Sequence, residues 1–124
     1  MNCDCDYDAP EFYNAEIRRA KKEYRCEECH GRIAKSEQYE RITGKWDGSI
    51  LTITTCERCR DLRVWAQNNL PCLCVMHGNM DEEIKTAVDD AVYRAPNETV
   101  GLRFGMIRRM YARNKHNSQA KEKA

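Results

Sequence analysis

Apolar and polar positions keep different periods in different parts of this chain. Through "SEQYERITGKWDGSILTITT" (residues 36–55) they alternate every second residue, the period of a β-strand. Asp47-Gly48 interrupts the alternation. Asp-Gly between two β-prone runs predicts a two-residue hairpin loop, because a type I′ turn needs positive φ at both central residues. The loop fixes the register: Trp46 faces Ser49, Gly44 faces Leu51 and Ile42 faces Ile53. Ile42, Trp46, Leu51 and Ile53 then share one face. Tyr39, Arg41, Thr43, Lys45, Thr52 and Thr54 take the other, with Ile50 its apolar member, so the hairpin is expected to be half-buried.

After Cys56 the period lengthens. Leu62, Trp65, Ala66 and Leu70 fall at helical spacing, and Pro71 ends that helix at or before Leu70. "NMDEEIKTAVDDAVYR" predicts a second helix, with Asn79 as N-cap, Glu82 at the capping-box position and acids in the first turn. Ile84 and Val88, with Ala91 or Val92, give it a narrow apolar stripe that is expected to pack. Pro96 breaks it. "NETVGLRFGMIRRMYARNKHN" predicts a third helix, weakened by Gly101 and Gly105, with Leu102, Met106, Ile107 and Met110 as its core or interface positions. The final "SQAKEKA" is expected to fray. "IRRAKKEYR", before Cys26, is compatible with a short helix or an extended entry strand.

Composition changes this picture through the cysteines. With 33% charged residues and a mean hydropathy of −0.85, a 124-residue chain has little apolar material for a core and is expected to need staples. Eight cysteines stand as four tight pairs: Cys3/Cys5, Cys26/Cys29, Cys56/Cys59 and Cys72/Cys74. The opening "MNCDCDYDAPEF" lacks the basic and apolar regions of a signal peptide, and tight pairs suit a tetrahedral metal better than bridges between distant segments. The expectation is a reducing cytoplasm with zinc as the cross-link. No apolar run is long enough to span a membrane.

The order C-x-x-C, hairpin, C-x-x-C, helix predicts a treble-clef zinc finger within a small α+β domain, extended by two C-terminal helices. Cys26, Cys29, Cys56 and Cys59 are the expected ligands of a first zinc. A C-x-x-C turn aims two sulfurs at one ion, and a second pair at a helix start lies near unpaired backbone N–H groups that stabilise thiolate charge. One departure shows: His30 stands between Cys29 and Gly31, where a knuckle usually has glycine directly after its second cysteine. Cys3, Cys5, Cys72 and Cys74 are expected to hold a second zinc if the N-terminus folds back over the Pro71 turn, with His77 a substitute ligand. The expected organisation is a double-zinc module over residues 1–79, a helical extension over 80–117 and a flexible tail over 118–124.

Sites with four cysteine ligands are closed, which argues against an enzyme. The sharpest enzymatic alternative is an HNH-like nuclease built on a treble clef. That chemistry needs a histidine at the hairpin. His30, His77 and His116 all lie elsewhere, so Asn68 and Asn69 on the first helix have no general base to assist.

"CDCDYDAPEFY", the first C-x-x-C, "GKWDG", "TCERCRDLR" and "LPCLCVMHGNM" together resemble a group of small cysteine-rich proteins encoded in phage and prophage genomes. The resemblance covers roughly residues 1–80. It implies a bacterial host cell as the setting, and a host or phage protein as the partner, inhibition of a host defence system being one such role. The exposed hairpin face and the acidic second helix are the expected surfaces for it. Nucleic acid is the alternative partner. Net charge is only +1, but it is blocked: −5 over residues 1–16, +4 over 17–63, −4 over 64–100 and +6 over 101–124. Arg18, Arg19, Lys21, Lys22 and Arg25 form one basic run. Arg103, Arg108, Arg109, Arg113 and Lys115 form another on the last helix. Tyr24 and Tyr111 lie among them as stacking candidates for DNA.

Overall fold

The computed structural model describes residues 11–70, 73 and 77–122. It is an α+β fold whose described residues form five strands and three helices. The contacts divide it into two units, and the division falls between Arg60 and Asp61, inside the first helix.

The N-terminal unit is built on a three-stranded antiparallel sheet. β1 is Phe12–Arg19, β4 is Gln38–Trp46 and β5 is Ser49–Cys56, in the order β1-β4-β5. Between β1 and β4 in sequence lie two short strands, β2 (Tyr24–Arg25) and β3 (Arg32–Ile33), which pair with each other. The β4–β5 hairpin has the register that the Asp-Gly loop predicts: Trp46 faces Ser49, Gly44 faces Leu51 and Ile42 faces Ile53. Asp47 (φ 50°) and Gly48 (φ 80°) both occupy the left-handed region, as a type I′ turn demands.

Burial corrects the expectation for the hairpin faces. Ile42 is fully buried and Trp46 and Ile53 are half-buried, but Leu51 is exposed, so the cover stops short of the hairpin tip. On the opposite face Tyr39 is buried, its ring 5.2 Å from that of Tyr24. Trp46 lies across Gly44, where a β-carbon would collide with the indole, and meets Tyr13 edge-on at 6.2 Å.

β1 is the element the hydropathy pattern hides. Tyr13, Ala15 and Ile17 alternate with Asn14, Glu16 and Arg18, but all eight residues are exposed, so no strong apolar signal marks the strand. Its pairing with β4, from Phe12 opposite Lys45 to Arg19 opposite Gln38, extends the hairpin into a sheet.

The C-terminal unit is helical. α1 (Glu57–Asn69) buries Leu62 and Ala66 and ends just before Leu70, where Pro71 would forbid continuation. α2 (Met80–Arg94) buries Met80, Ile84, Val88 and Ala91, a stripe at spacings of four, four and three. The expected capping box does not form. Asn79 has φ −134° and ψ 23°, outside the extended region in which a cap side chain reaches the next amides. Its Nδ2 instead donates to the Glu83 carboxylate at 3.4 Å, while Glu82 pairs with Lys85.

α3 (Leu102–Glu122) starts five residues later than its composition predicts. Gly101, at φ +83°, turns the chain just before it. α3 packs on α2 through Leu102, Met106 and Met110. Arg103 Nη2 reaches Asp89 at 3.0 Å and Arg113 reaches Asp81, which fixes the two helices antiparallel. Gly105 lets α3 approach Trp65 of α1: a β-carbon there would lie 2.7 Å from the indole. Among the described residues no helix is long and apolar enough to cross a membrane.

Candidate metal centre

Cys26, Cys29, Cys56 and Cys59 converge. Their four Sγ atoms lie within 4.8 Å of one another, and all four are free thiols. Cys26 follows β2 and Cys29 closes the turn after it, which gives the first pair. Cys56 is the last residue of β5 and Cys59 sits in the first turn of α1, which gives the second. The two pairs meet because the turn docks on the edge of β5. Glu27 N donates to Thr54 O at 2.9 Å, and Thr54 Oγ1 donates to Arg25 O at 2.7 Å.

Backbone amides surround the sulfurs. Cys26 Sγ accepts from the N–H groups of Glu28 (3.4 Å) and Cys56 (3.3 Å), and Cys29 Sγ accepts from Gly31 N–H at 3.4 Å. Such bonds favour the charged form of a thiol. Cys29 is held well below the usual thiol range by the hydrogen bonds it accepts from Cys26, Cys56 and Cys59. For Cys26 the neighbouring Cys29 works the other way, but donation from Cys56 and Cys59 outweighs it and brings the thiol down to about 7. Cys56 and Cys59 are pushed up, first by Cys26 and then by Cys29, which ionise ahead of them. Four thiols this close cannot all become thiolates unless a cation neutralises them.

The geometry fits that cation. Metal–sulfur bonds of about 2.3 Å at tetrahedral angles place the sulfurs about 3.8 Å apart, and Cys29 and Cys56 Sγ are 3.7 Å apart. Cys26, Cys56 and Cys59 are buried and Cys29 is half-buried, so the site is enclosed. Four protein ligands leave no position for water or substrate. Zinc is one metal that such a donor set takes.

His30 resolves the departure noted in the turn. It occupies the left-handed region itself, at φ 60°. Gly31 is therefore not needed for the turn's backbone, although its N–H is needed for Cys29. The turn closes through Cys26 N to Gly31 O and His30 N to Cys26 O, both 2.9 Å. Hydropathy and spacing gave no sign of a further support. Glu40 on β4, buried to 4% exposure, faces Arg60 at 3.5 Å, one residue beyond Cys59, so an ion pair ties the start of α1 to the sheet.

The expected second site cannot be placed, because Cys3, Cys5, Cys72 and Cys74 lie outside the described residues. His77 is half-buried in the turn before α2. Most of the basic candidates make contacts within the chain. Arg113 is 4% exposed and grips Asp81 with two bonds of 2.8 and 2.7 Å, which removes it from the surface. Arg103 pairs with Asp89, and Arg109 lies 4.7 Å over the Trp65 ring. Arg18 pairs with Glu16, Arg19 donates to Ser36 O, Arg25 donates to His30 O, and Lys22 sits 5.5 Å over Tyr24. Lys21, Arg108 and Lys115 are exposed.

Comparison with protein-family models, with curated proteins and with solved structures returns no match to this chain, so its functional reading rests on the cysteine cluster and the surfaces around it.

Proposed function

We propose that this protein is a non-enzymatic, zinc-stapled module of treble-clef type that acts by binding another protein. The observation that carries the reading is the closed set of four converging thiols. A centre with every position filled by protein stabilises a fold and offers nothing to a substrate. Zinc rather than iron is the metal proposed: it is bound by four thiolates in structural sites and has no redox chemistry of its own.

Such a clasp frees a small sheet from the need for a large core, and leaves its surface available for recognition. The resemblance to small phage proteins points to a host or phage protein as the partner, with inhibition of a host defence system as the role. Nucleic acid is the second reading. It is the weaker one because Arg103, Arg109 and Arg113 are engaged within the chain. The hairpin of β4 and β5 contains no histidine, which leaves an HNH-like nuclease without its general base.

The test is a crosslinking capture from bacterial lysate with the zinc-loaded full chain, beside a salt series on single- and double-stranded DNA. Specific capture of a protein, with no DNA binding at low salt, is the expected result. DNA binding that weakens steeply with salt would replace this reading with the second.

A further inference from the structure

α3 carries large apolar residues around more than half of its circumference. Leu102, Met106 and Met110 face α2 and are buried, with exposures of 9%, 6% and 8%. Val100, just before the helix, and Phe104, Ile107 and Tyr111 within it are exposed at 88%, 68%, 54% and 66%. Within the helix, spacings of three and four residues put Phe104, Ile107 and Tyr111 along one side. At about 100° per residue, Phe104 and Tyr111 stand about 20° apart and Ile107 about 60° from Phe104. Three large exposed side chains along one side are not needed to fold a helix already packed through Leu102, Met106 and Met110, and such a stripe marks an interaction surface.

The charges beside the stripe select its occupant. Arg108 and Lys115 lie within about 40° of Phe104 on the same wheel. Both are exposed, and neither has an ion-pair partner among the described residues. α3 contains a single acid, Glu122, so nothing along the stripe balances them. A second copy of this helix would bring Arg108 and Lys115 against their own kind, which disfavours self-pairing. Ile107 makes the stripe aliphatic as well as aromatic, which suits a helix seam better than a platform for stacked bases.

We propose that the Phe104–Ile107–Tyr111 stripe, bordered by Arg108 and Lys115, docks an amphipathic helix of another protein whose apolar seam is flanked by acidic residues. This rests on the protein-binding reading above and names the surface that carries it.

The probe is a labelled heptad peptide of about 28 residues with Leu at the first and fourth positions and Glu at the fifth and seventh. Its comparator carries Lys in place of Glu. Both are titrated into the zinc-loaded full chain and followed by fluorescence anisotropy. The Glu peptide is expected to bind, more weakly at high salt, and the Lys peptide is not. Phe104→Ser or Ile107→Ser should raise Kd at least about tenfold, with metal content and melting temperature unchanged because both positions are exposed. Arg108→Glu with Lys115→Glu should transfer the preference to the Lys peptide. Equal binding of the two peptides, or no effect of Phe104→Ser, would overturn the proposal. So would an oligothymidine that binds the same stripe in the peptide's stead, or a dimer that Phe104→Ser dissolves. A lysate partner captured equally well by wild type and Phe104→Ser would overturn this surface and leave the protein-binding reading standing. Failure of both to capture any partner would remove that reading itself.

Discussion

The Sγ atoms of Cys29 and Cys56 lie 3.7 Å apart, although β3, β4 and most of β5 separate the two residues along the chain. That distance is the edge of a tetrahedral thiolate site. It also sets the response to pH. Without metal, Cys29 ionises first and Cys26 next, at about 7, while Cys56 and Cys59 keep their protons. Bound metal requires all four to be thiolates, so binding expels about two protons above pH 7 and more below it. The metal-bound form therefore holds fewer protons than the free form, and acid favours release. Chelator competition at pH 6 and pH 8 should show weaker metal binding at pH 6, with a slope that steepens as pH falls through 7.

Arg113 and Asp81 tie the far half of α3 to the first turn of α2. Arg113→Ala leaves the half-buried Asp81 carboxylate without this cation. Breaking such a pair costs about 3 kcal/mol in a largely buried setting. Thermal denaturation followed at 222 nm should show the loss in the helical unit. Lys115→Ala, at an exposed position on the same helix, should leave it unchanged.

Gly105 sits against Trp65, and Arg109 both covers that indole and donates to Gly105 O at 3.1 Å. Gly105→Ala should gain about 1 kcal/mol of helix propensity but lose about 1–3 kcal/mol to the collision. The expected outcome is net destabilisation with a changed Trp65 fluorescence. In the double variant Gly105→Ala/Trp65→Leu the collision is absent, and the propensity gain should reappear.

His30 carries a left-handed backbone that glycine adopts without strain. His30→Gly should stabilise the metal-loaded turn by about 0.5–1 kcal/mol, the strain relieved less the added freedom of the unfolded chain. The midpoint of denaturant unfolding should rise and the metal stoichiometry should stay the same.

These particulars also mark what the sequence reveals and what it conceals. The hairpin register was legible because Asp47-Gly48 permits one loop geometry and the side-chain period is two. The ligand set was legible because a C-x-x-C turn leaves two sulfurs few directions to point. β1 was not, since an exposed strand pays no tribute to hydropathy and its Glu16, Arg18 and Arg19 read as part of a charge block. The capping box failed at Asn79 because a motif names residue types and not the ψ angle that lets them bond. The second stripe on α3 was hidden because its apolar residues spread over more than half of the helix circumference, which leaves no one-sided periodicity. Leu102, Met106, Ile107 and Met110 were read together as core or interface positions; Met106 is buried and Ile107, about 100° further round the helix, is exposed.

Binding of one metal ion through the four sulfurs of Cys26, Cys29, Cys56 and Cys59 underlies the whole functional reading. It is tested most directly by loading the full chain with cobalt(II) and recording its absorption spectrum, with native mass spectrometry to count the ions. Intense tetrahedral ligand-field bands with sulfur-to-metal charge transfer are expected. Cys56→Ser should alter those bands, and serine at all four positions should remove one metal equivalent. A weak octahedral spectrum, or an unchanged metal count in the fourfold serine variant, would contradict it.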